Sequence, residues 1–198
     1  MANTSATGGY LVPNLVPIAT YDQALRQLVQ GVIVGVTGLA ADRVRQAWQP
    51  TPAPVLALEA DWGAFAILSQ RADFDPYTIE DVAGTEQLFN RTEESDILCT
   101  FYGPNCMGYA ARLRDGTAIS QNNDVLYSVG AAVVAFGQIT HVPELVNDRY
   151  VDRADIPMTL RRQVIRSYPV LSFVAVQGTI HSETLSEPWV VDPQGVIP

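Results

Sequence analysis

Lysine is absent from this sequence: all 12 basic residues are arginine, set against 21 aspartates and glutamates for a net charge of −9. That balance argues against a protein that grips nucleic acid through its phosphates and is compatible with a surface that DNA passes without sticking. Arginine without lysine suits the planar, hydrogen-bonded pairing found at interfaces, and a biased genomic composition gives the same pattern. Histidine and cysteine are scarce, with two of each. Cys99 and Cys106 have only His141 and His181 as further soft ligands, which falls short of a zinc set. They read as small buried hydrophobes, so no metal and no other cofactor is expected. Long apolar runs are missing as well. The longest, Gly31–Ala41 and Gly130–Gly137, are broken by glycine or too short for the roughly 18 residues a bilayer requires. Met1–Tyr10 has neither a basic nor an apolar leader region, which predicts no signal peptide and synthesis in a cytoplasm.

Catalytic signatures are also lacking. Gly35-Val36-Thr37-Gly38 is too sparse for a dinucleotide or phosphate-binding loop. His141 has no serine or cysteine at a defensible spacing and reads as a loop histidine. Asp73, Asp75, Glu80, Asp81, Glu86, Glu93, Glu94 and Asp96 form an acid-rich span, with only Arg71 and Arg91 against them. Two of these could be imagined as a glycosidase pair, but charge-rich stretches of this kind are solvated faces. No catalytic residue is assigned.

What is present is enough for a core: 198 residues, 47% of them apolar, with a mean hydropathy of +0.09. The organising stretch is Ser95–Gly116. Ile97–Tyr102 is short, β-branched and aromatic, as in a strand. Gly103 breaks it, Pro104 suits a first helical turn, and Met107, Ala110 and Ala111 recur at helical spacing up to Gly116. A strand passing directly into a helix predicts an α/β or α+β domain with sheet and helix layers.

Residues 1–19 read as an extended arm, with apolar Leu11, Val12, Leu15, Val16 and Ile18 around Pro13 and Pro17. Thr20 to Gln23 fits a capping box opening a helix whose inner face is Tyr21, Leu25, Leu28, Val29 and Val32. Gly31–Gly38 is expected to end that helix and add a short strand. Val44–Trp48 and Trp62–Leu68 read as strands, separated by the polyproline-like Gln49–Pro54. Leu88–Asn90 and Ile97–Tyr102 are expected to form a hairpin about a polar turn near Thr92–Ser95. Ser120 or Asn122 would cap a second short helix carrying Val125, Leu126 and Val129, with Gly130 ending it and Ala131–Ile139 as the next strand. His141–Val146 reads as a turn. Asp148–Tyr168 reads as one long strand that Pro157 places at an edge or a bulge. Arg161, Arg162 and Arg166 make it a basic stripe, either a subunit contact for the acidic span or protection of an exposed edge. Val170–Ile180 is the last expected strand. His181–Pro198 is a tail whose Trp189 suggests docking.

The ordered segments GVIVGVTGL, VRQAWQPTPAP, WGAFAI, CTFYGPNCMGYAARLRDG, PELVNDRY and RADIPMTLRRQVIRSYPVL resemble the neck or tail terminator proteins of tailed bacteriophages. The resemblance runs from about Thr20 to Ile180, giving a domain over 20–181 between arms 1–19 and 182–198. It implies an α/β (α+β) fold with a mixed, mostly antiparallel sheet flanked by helices. It also implies a hexameric ring that caps the tail tube, meets the head connector and, in contractile phages, the tail sheath. Such a ring is a structural part of the virion, assembled in the host cytoplasm, and leaves a channel through which DNA passes unbound. No catalytic residue comes with it. Subunit-interface candidates are Arg161, Arg162, Arg166 and Trp189, and acidic candidates for the lumen are Asp73, Asp75, Glu80, Asp81, Glu93 and Glu94. A head–tail stopper or head-completion protein is the alternative of the same kind. A small hydrolase and a ligand-binding domain are alternatives of other kinds, separated from a ring by oligomeric state.

Overall fold

The first helix, α1 (Gln23–Thr37), buries Leu25, Val29, Ile33 and Thr37, one residue per turn along a single stripe. It runs straight through Gly31 and Gly35, where an end was expected. The buried row continues to Ile33 and Thr37, and that burial offsets a helix penalty of roughly 1 kcal/mol per glycine. Its N-cap is Asp22, with no side-chain capping bond, rather than Thr20, which lies outside the described residues. This computed structural model describes residues 3–13, 21–49, 57, 59–81, 85–146, 148–171, 176–181, 186–192 and 195–197. The expectations for Leu15, Val16 and Ile18 and for most of the polyproline stretch fall outside them.

The remaining elements in order are β1 (Val44–Gln46), β2 (Trp62–Ala72), β3 (Tyr77–Glu80), β4 (Gln87–Tyr102), α2 (Cys106–Thr117), α3 (Ser120–Tyr127) and β5 (Ala131–Phe136). Then follow β6 (Thr140–His141), β7 (Glu144–Val146), β8 (Arg149–Val151), β9 (Arg153–Tyr168), β10 (Val176–His181), β11 (Ser186–Asp192) and β12 (Gly195–Ile197). The main sheet has the order β1-β2-β4-β9-β5, with β3 added on β4 and β6 on β9. Strand β1 is parallel to β2, and β2 is antiparallel to β4, as β5 is to β9. The expected α+β class with a mixed, mostly antiparallel sheet is what forms.

The chain divides into two compact units, one of residues 17–75 and 91–164 and one of 1–16, 76–90 and 165–198. In the first, the sheet lays Phe65, Ile97, Cys99, Phe101, Ile156, Met158 and Leu160 in one core with Leu25, Val29 and Ile33 of α1 and Cys106, Ala110 and Leu113 of α2. Each Val, Leu, Ile, Phe or Met among them contributes about 1.5–3 kcal/mol of burial. Gly116 lets the two helices meet: a Cβ there would lie 2.5 Å from Val36 Cγ1. Cys99 and Cys106 are free and buried, and burial pushes the Cys99 thiol up to about 12.

In the second unit, β3 pairs with the start of β4 from Tyr77↔Asn90 to Glu80↔Gln87. Phe89 and Tyr168 meet edge to face at 5.1 Å, and the Ser167 hydroxyl donates to Glu86. Near the N-terminus, Ser5 N–H donates to the Pro169 carbonyl at 3.2 Å, and its Oγ accepts from Leu171 N–H at 2.7 Å. Strands β10, β11 and β12 form an antiparallel meander, so the segment expected to be a bare tail contains two strands.

Three other expectations change. Residues 87–102 are one continuous strand of 16, with no turn at Thr92–Ser95. The long Arg-bearing strand is split at Asp152 into β8 and β9, and β9 lies inside the sheet between β4 and β5 rather than at an edge. Pro157 is accommodated because it faces the break between β5 and β6, where its carbonyl accepts from Gly137 N–H at 2.8 Å and no donor is required. The short helix α3 buries Leu126 but leaves Val125 and Val129 exposed. Neither Ser120 nor Asn122 caps its start, and Asn122 instead donates to the Gly116 carbonyl at the end of α2.

Candidate functional site

The sheet has one face under the helices and one that carries charge. Strand alternation puts Ile97, Cys99 and Phe101 of β4 inward, and therefore Glu94 and Asp96 outward. On β9, Ile156, Met158 and Leu160 point inward, leaving Asp155, Thr159 and Arg161 outward. On β2 the same parity would turn Ser69 and Arg71 toward the core. A register shift between Ile67 and Ser69 reverses it, so that Ser69 stands opposite Asp96 and Arg71 opposite Glu94.

The three strands then form two polar rows. Glu94 accepts from Arg71 Nε at 2.8 Å through one oxygen, and from Arg161 Nε and Nη2 at 2.9 and 2.6 Å through the other. The Arg161 hydrogen bonds, followed by that of Arg71, hold its carboxyl below the usual range. Asp96 accepts from the Ser69 hydroxyl at 2.9 Å and the Thr159 hydroxyl at 3.1 Å, and these two bonds lower its pKa in that order. Further along, the Trp62 and Tyr102 rings stack at 4.2 Å, with the Arg153 guanidinium 5.8 Å from the Tyr102 centroid. Arg153 forks onto Asp155 at 2.9 and 2.8 Å and reaches Glu144 at 3.1 Å. The Asp155 bonds raise the pKa of Arg153, and burial raises that of Tyr102.

Glu93 and Arg162 point the other way. Both are enclosed, at 4% and 5% exposure, and paired at 2.9 Å. Glu93 also accepts from the Tyr21 hydroxyl and from Gln70 Nε2 at 2.5 Å, and the Tyr21 ring lies 4.6 Å beneath the Arg162 guanidinium. The pairs Glu93–Arg162, Glu94–Arg161 and Asp96–Thr159 run in opposite senses along β4 and β9, as in an antiparallel ladder.

The arginines read as one stripe are therefore divided. Arg161 is on the outer face, Arg162 is in the interior, and Arg166 is half-buried in the other unit. The backbone of Trp189 pairs with Gly178 in β11–β10, and its side chain lies outside the described residues. The acidic span is divided too. Asp73 ties β2 to β4: its N–H donates to the Thr92 carbonyl, and its carboxylate accepts from Thr92 N–H at 3.1 Å. Asp75 and Glu80 are exposed, while the Asp81 carboxylate accepts from Thr85 and Glu86 N–H at 2.7 and 2.9 Å. The expectation of a uniformly solvated acidic face does not hold for Glu93, which is interior.

His141 is exposed, in β6, with Nε2 3.3 Å from Asp152 Oδ1. Among the described residues no three His, Cys, Asp or Glu side chains gather in a way that could hold a metal ion. The outer face can thus offer fixed charges, hydroxyls and an aromatic stack to a partner. Sequence reasoning missed Ser69, Arg71, Arg153 and Thr159 as members of this surface. Shared parity of Glu94 with Asp96 and of Thr159 with Arg161 was the available signal, once both stretches are taken as unbroken strands.

A family model described as phage neck terminator protein matches residues 21–184. A search of curated proteins returned no match.

Proposed function

The chain belongs to the phage neck terminator family, and from that membership we propose that it is a ring-forming tail terminator. It would cap the tail tube and join it to the head connector around an open DNA channel. The family makes it a virion component that assembles with other head–tail proteins, and among the described residues no helix is long and apolar enough to cross a membrane. The observation that carries the reading is the family match across residues 21–184, which takes in nearly the whole sheet-and-helix unit. The net charge of −9 agrees with it, because a channel that retained phosphates would slow DNA transit.

In this reading the protein is structural rather than catalytic. Its partners are further copies of itself in a hexamer, the tail tube protein, the head connector or stopper and, in a contractile phage, the sheath. Exposed Asp73, Asp75 and Glu80, together with the partly buried Asp81 and Glu94, are the carboxylates proposed for the lumen. Arg161, whose side chain is 53% exposed, is proposed to reach a neighbouring subunit, together with Arg166 and Trp189. Glu93 and Arg162 are proposed to serve by holding the strands that carry the rest.

Negative-stain microscopy of the purified chain, alone and mixed with tail tubes, tests the reading. A six-fold ring with a central hole, free or seated on tube ends, is expected. A monomer that leaves tube ends bare overturns it.

A further inference from the structure

The main sheet ends at two edges, and the chain treats them differently. At β1 the outward carbonyl of Val44 is already taken by the Gln30 side-chain amide at 2.8 Å, and Arg45 stands beside it in a groove of about 480 Å³. At the other end, β5 pairs with β9 alone among the described residues. Its sequence is Ala-Ala-Val-Val-Ala-Phe, without charge, proline or glycine. The register shift between Val133 and Ala135 leaves Val134 at 41% exposure and Ala135 exposed as well. No charge, proline or glycine on this strand blunts the edge against pairing with another strand, and the register shift about Val134 is the one irregularity described on it.

The chain holds a segment of matching chemistry. No charged side chain occurs from Met1 to Tyr21, nor from Val125 to Thr140 on either side of β5. Copies that each carry −9 repel one another, so contact between them costs least where both surfaces are neutral. Within the N-terminal stretch, Tyr10 and Val12 are 94% and 71% exposed, large apolar side chains without cover from their own chain. Pro13 and Pro17 are four apart. In an extended strand residues of equal parity turn their N–H groups to the same side, so both missing donors would fall on one edge. The N–H groups of Val12, Asn14, Val16 and Ile18 would then be free for the other. Such a segment can add to a sheet as its last strand but cannot itself be extended.

We propose that the free edge of β5 receives the N-terminal arm of a second copy of this chain as an added strand. This deepens the ring reading and rests on it for the identity of the partner. Main-chain hydrogen bonds would supply the affinity, with Leu11 and Leu15 on one face of the added strand and Val12 and Val16 on the other, one of these pairs packing beside Val134. An arm passed from each copy to the next is a head-to-tail contact, the kind that closes rings.

Two full-length chains, one carrying Val12→Cys and the other Ala135→Cys, are mixed and oxidised with glutathione disulfide; native Cys99 and Cys106 are buried. A disulfide between the two chain types is expected. It should be lost when the acceptor also carries Val134→Lys, and absent when the acceptor cysteine is placed at Arg45 on the opposite edge. No mixed disulfide, or equal yield from the Arg45→Cys acceptor, overturns the proposal. So does a double-cysteine chain that links only to itself. A six-fold ring without the Val12–Ala135 link would remove this inference and leave the ring reading standing. The link without a ring would do the reverse.

Discussion

Glu93 and Glu94 are sequence neighbours with different surroundings, because adjacent strand residues face opposite sides of a sheet. Removing Arg162 would take the guanidinium away from the enclosed Glu93 carboxylate, which also accepts from the neutral Tyr21 and Gln70. Arg162→Ala is therefore expected to cost about 3–5 kcal/mol in urea unfolding, as breaking a buried ion pair does. Arg161→Ala, at the exposed end of its row, should change the midpoint far less. Glu94 and Asp96 titrate below the usual range in the folded chain, the first because of Arg161 and Arg71, the second because of Ser69 and Thr159. The unfolded chain then binds protons at higher pH than the folded one does. The stability these groups add is complete above the unfolded carboxylate pKa of roughly 4 and is lost as pH falls through the lower folded values. A Glu94→Gln/Asp96→Asn variant should show a shallower acid limb in a plot of urea midpoint against pH. An unchanged limb would assign the acid sensitivity to other carboxylates.

Among the elements, the passage from β4 into α2 is the most legible in sequence, and it rests on few atoms. Gly103 has φ 104°, and a Cβ there would lie 2.7 Å from Asp61 Oδ1 and 2.8 Å from the Ala60 carbonyl oxygen. Asp61 in turn accepts from Asn105 N–H at 3.0 Å and from its Nδ2 at 2.9 Å, fixing the start of α2 from outside the helix. Gly103→Ala should cost at least about 1–3 kcal/mol for the backbone alone. Asp61→Ala should cost about 0.5–2 kcal/mol, in the range of a lost helix cap. Thermal unfolding ranks the two, and an Asp61→Ala midpoint equal to wild type would show that the outside cap is dispensable. The neighbouring expectation of a hairpin within 87–102 failed for a physical reason. Arg91, Thr92, Glu93, Glu94, Ser95 and Asp96 look like a turn by composition, but partners on β2 and β9 neutralise or hydrogen-bond Glu93, Glu94 and Asp96 within a strand. Glycine propensity likewise predicts an end to α1 at Gly31, because it does not register the core that Ile33 and Thr37 enter.

For the molecule as a whole, the ring reading makes Arg161 the informative position. Arg161→Glu faces Glu94 with a like charge on the outer row and removes the exposed guanidinium proposed to reach a neighbour. It should keep the fold by circular dichroism while reducing the ring population in light scattering. Undiminished rings at ordinary salt would exclude Arg161 from the subunit contact. Arg162→Glu is expected to fail at folding, a different outcome from an adjacent residue. The sequence by itself determined the α+β class, the strand–turn–helix of residues 97–116 and the family. Each depends on local periodicity or on the order of segments along the chain. The tertiary structure alone decided which charges are enclosed, how the bulge in β2 turns Arg71 outward, and that β9 is central while β5 stands at the edge. Those outcomes depend on residues distant in sequence, from 23 positions for Arg71 with Glu94 to 69 for Glu93 with Arg162, meeting across strands, and no local pattern encodes such a meeting.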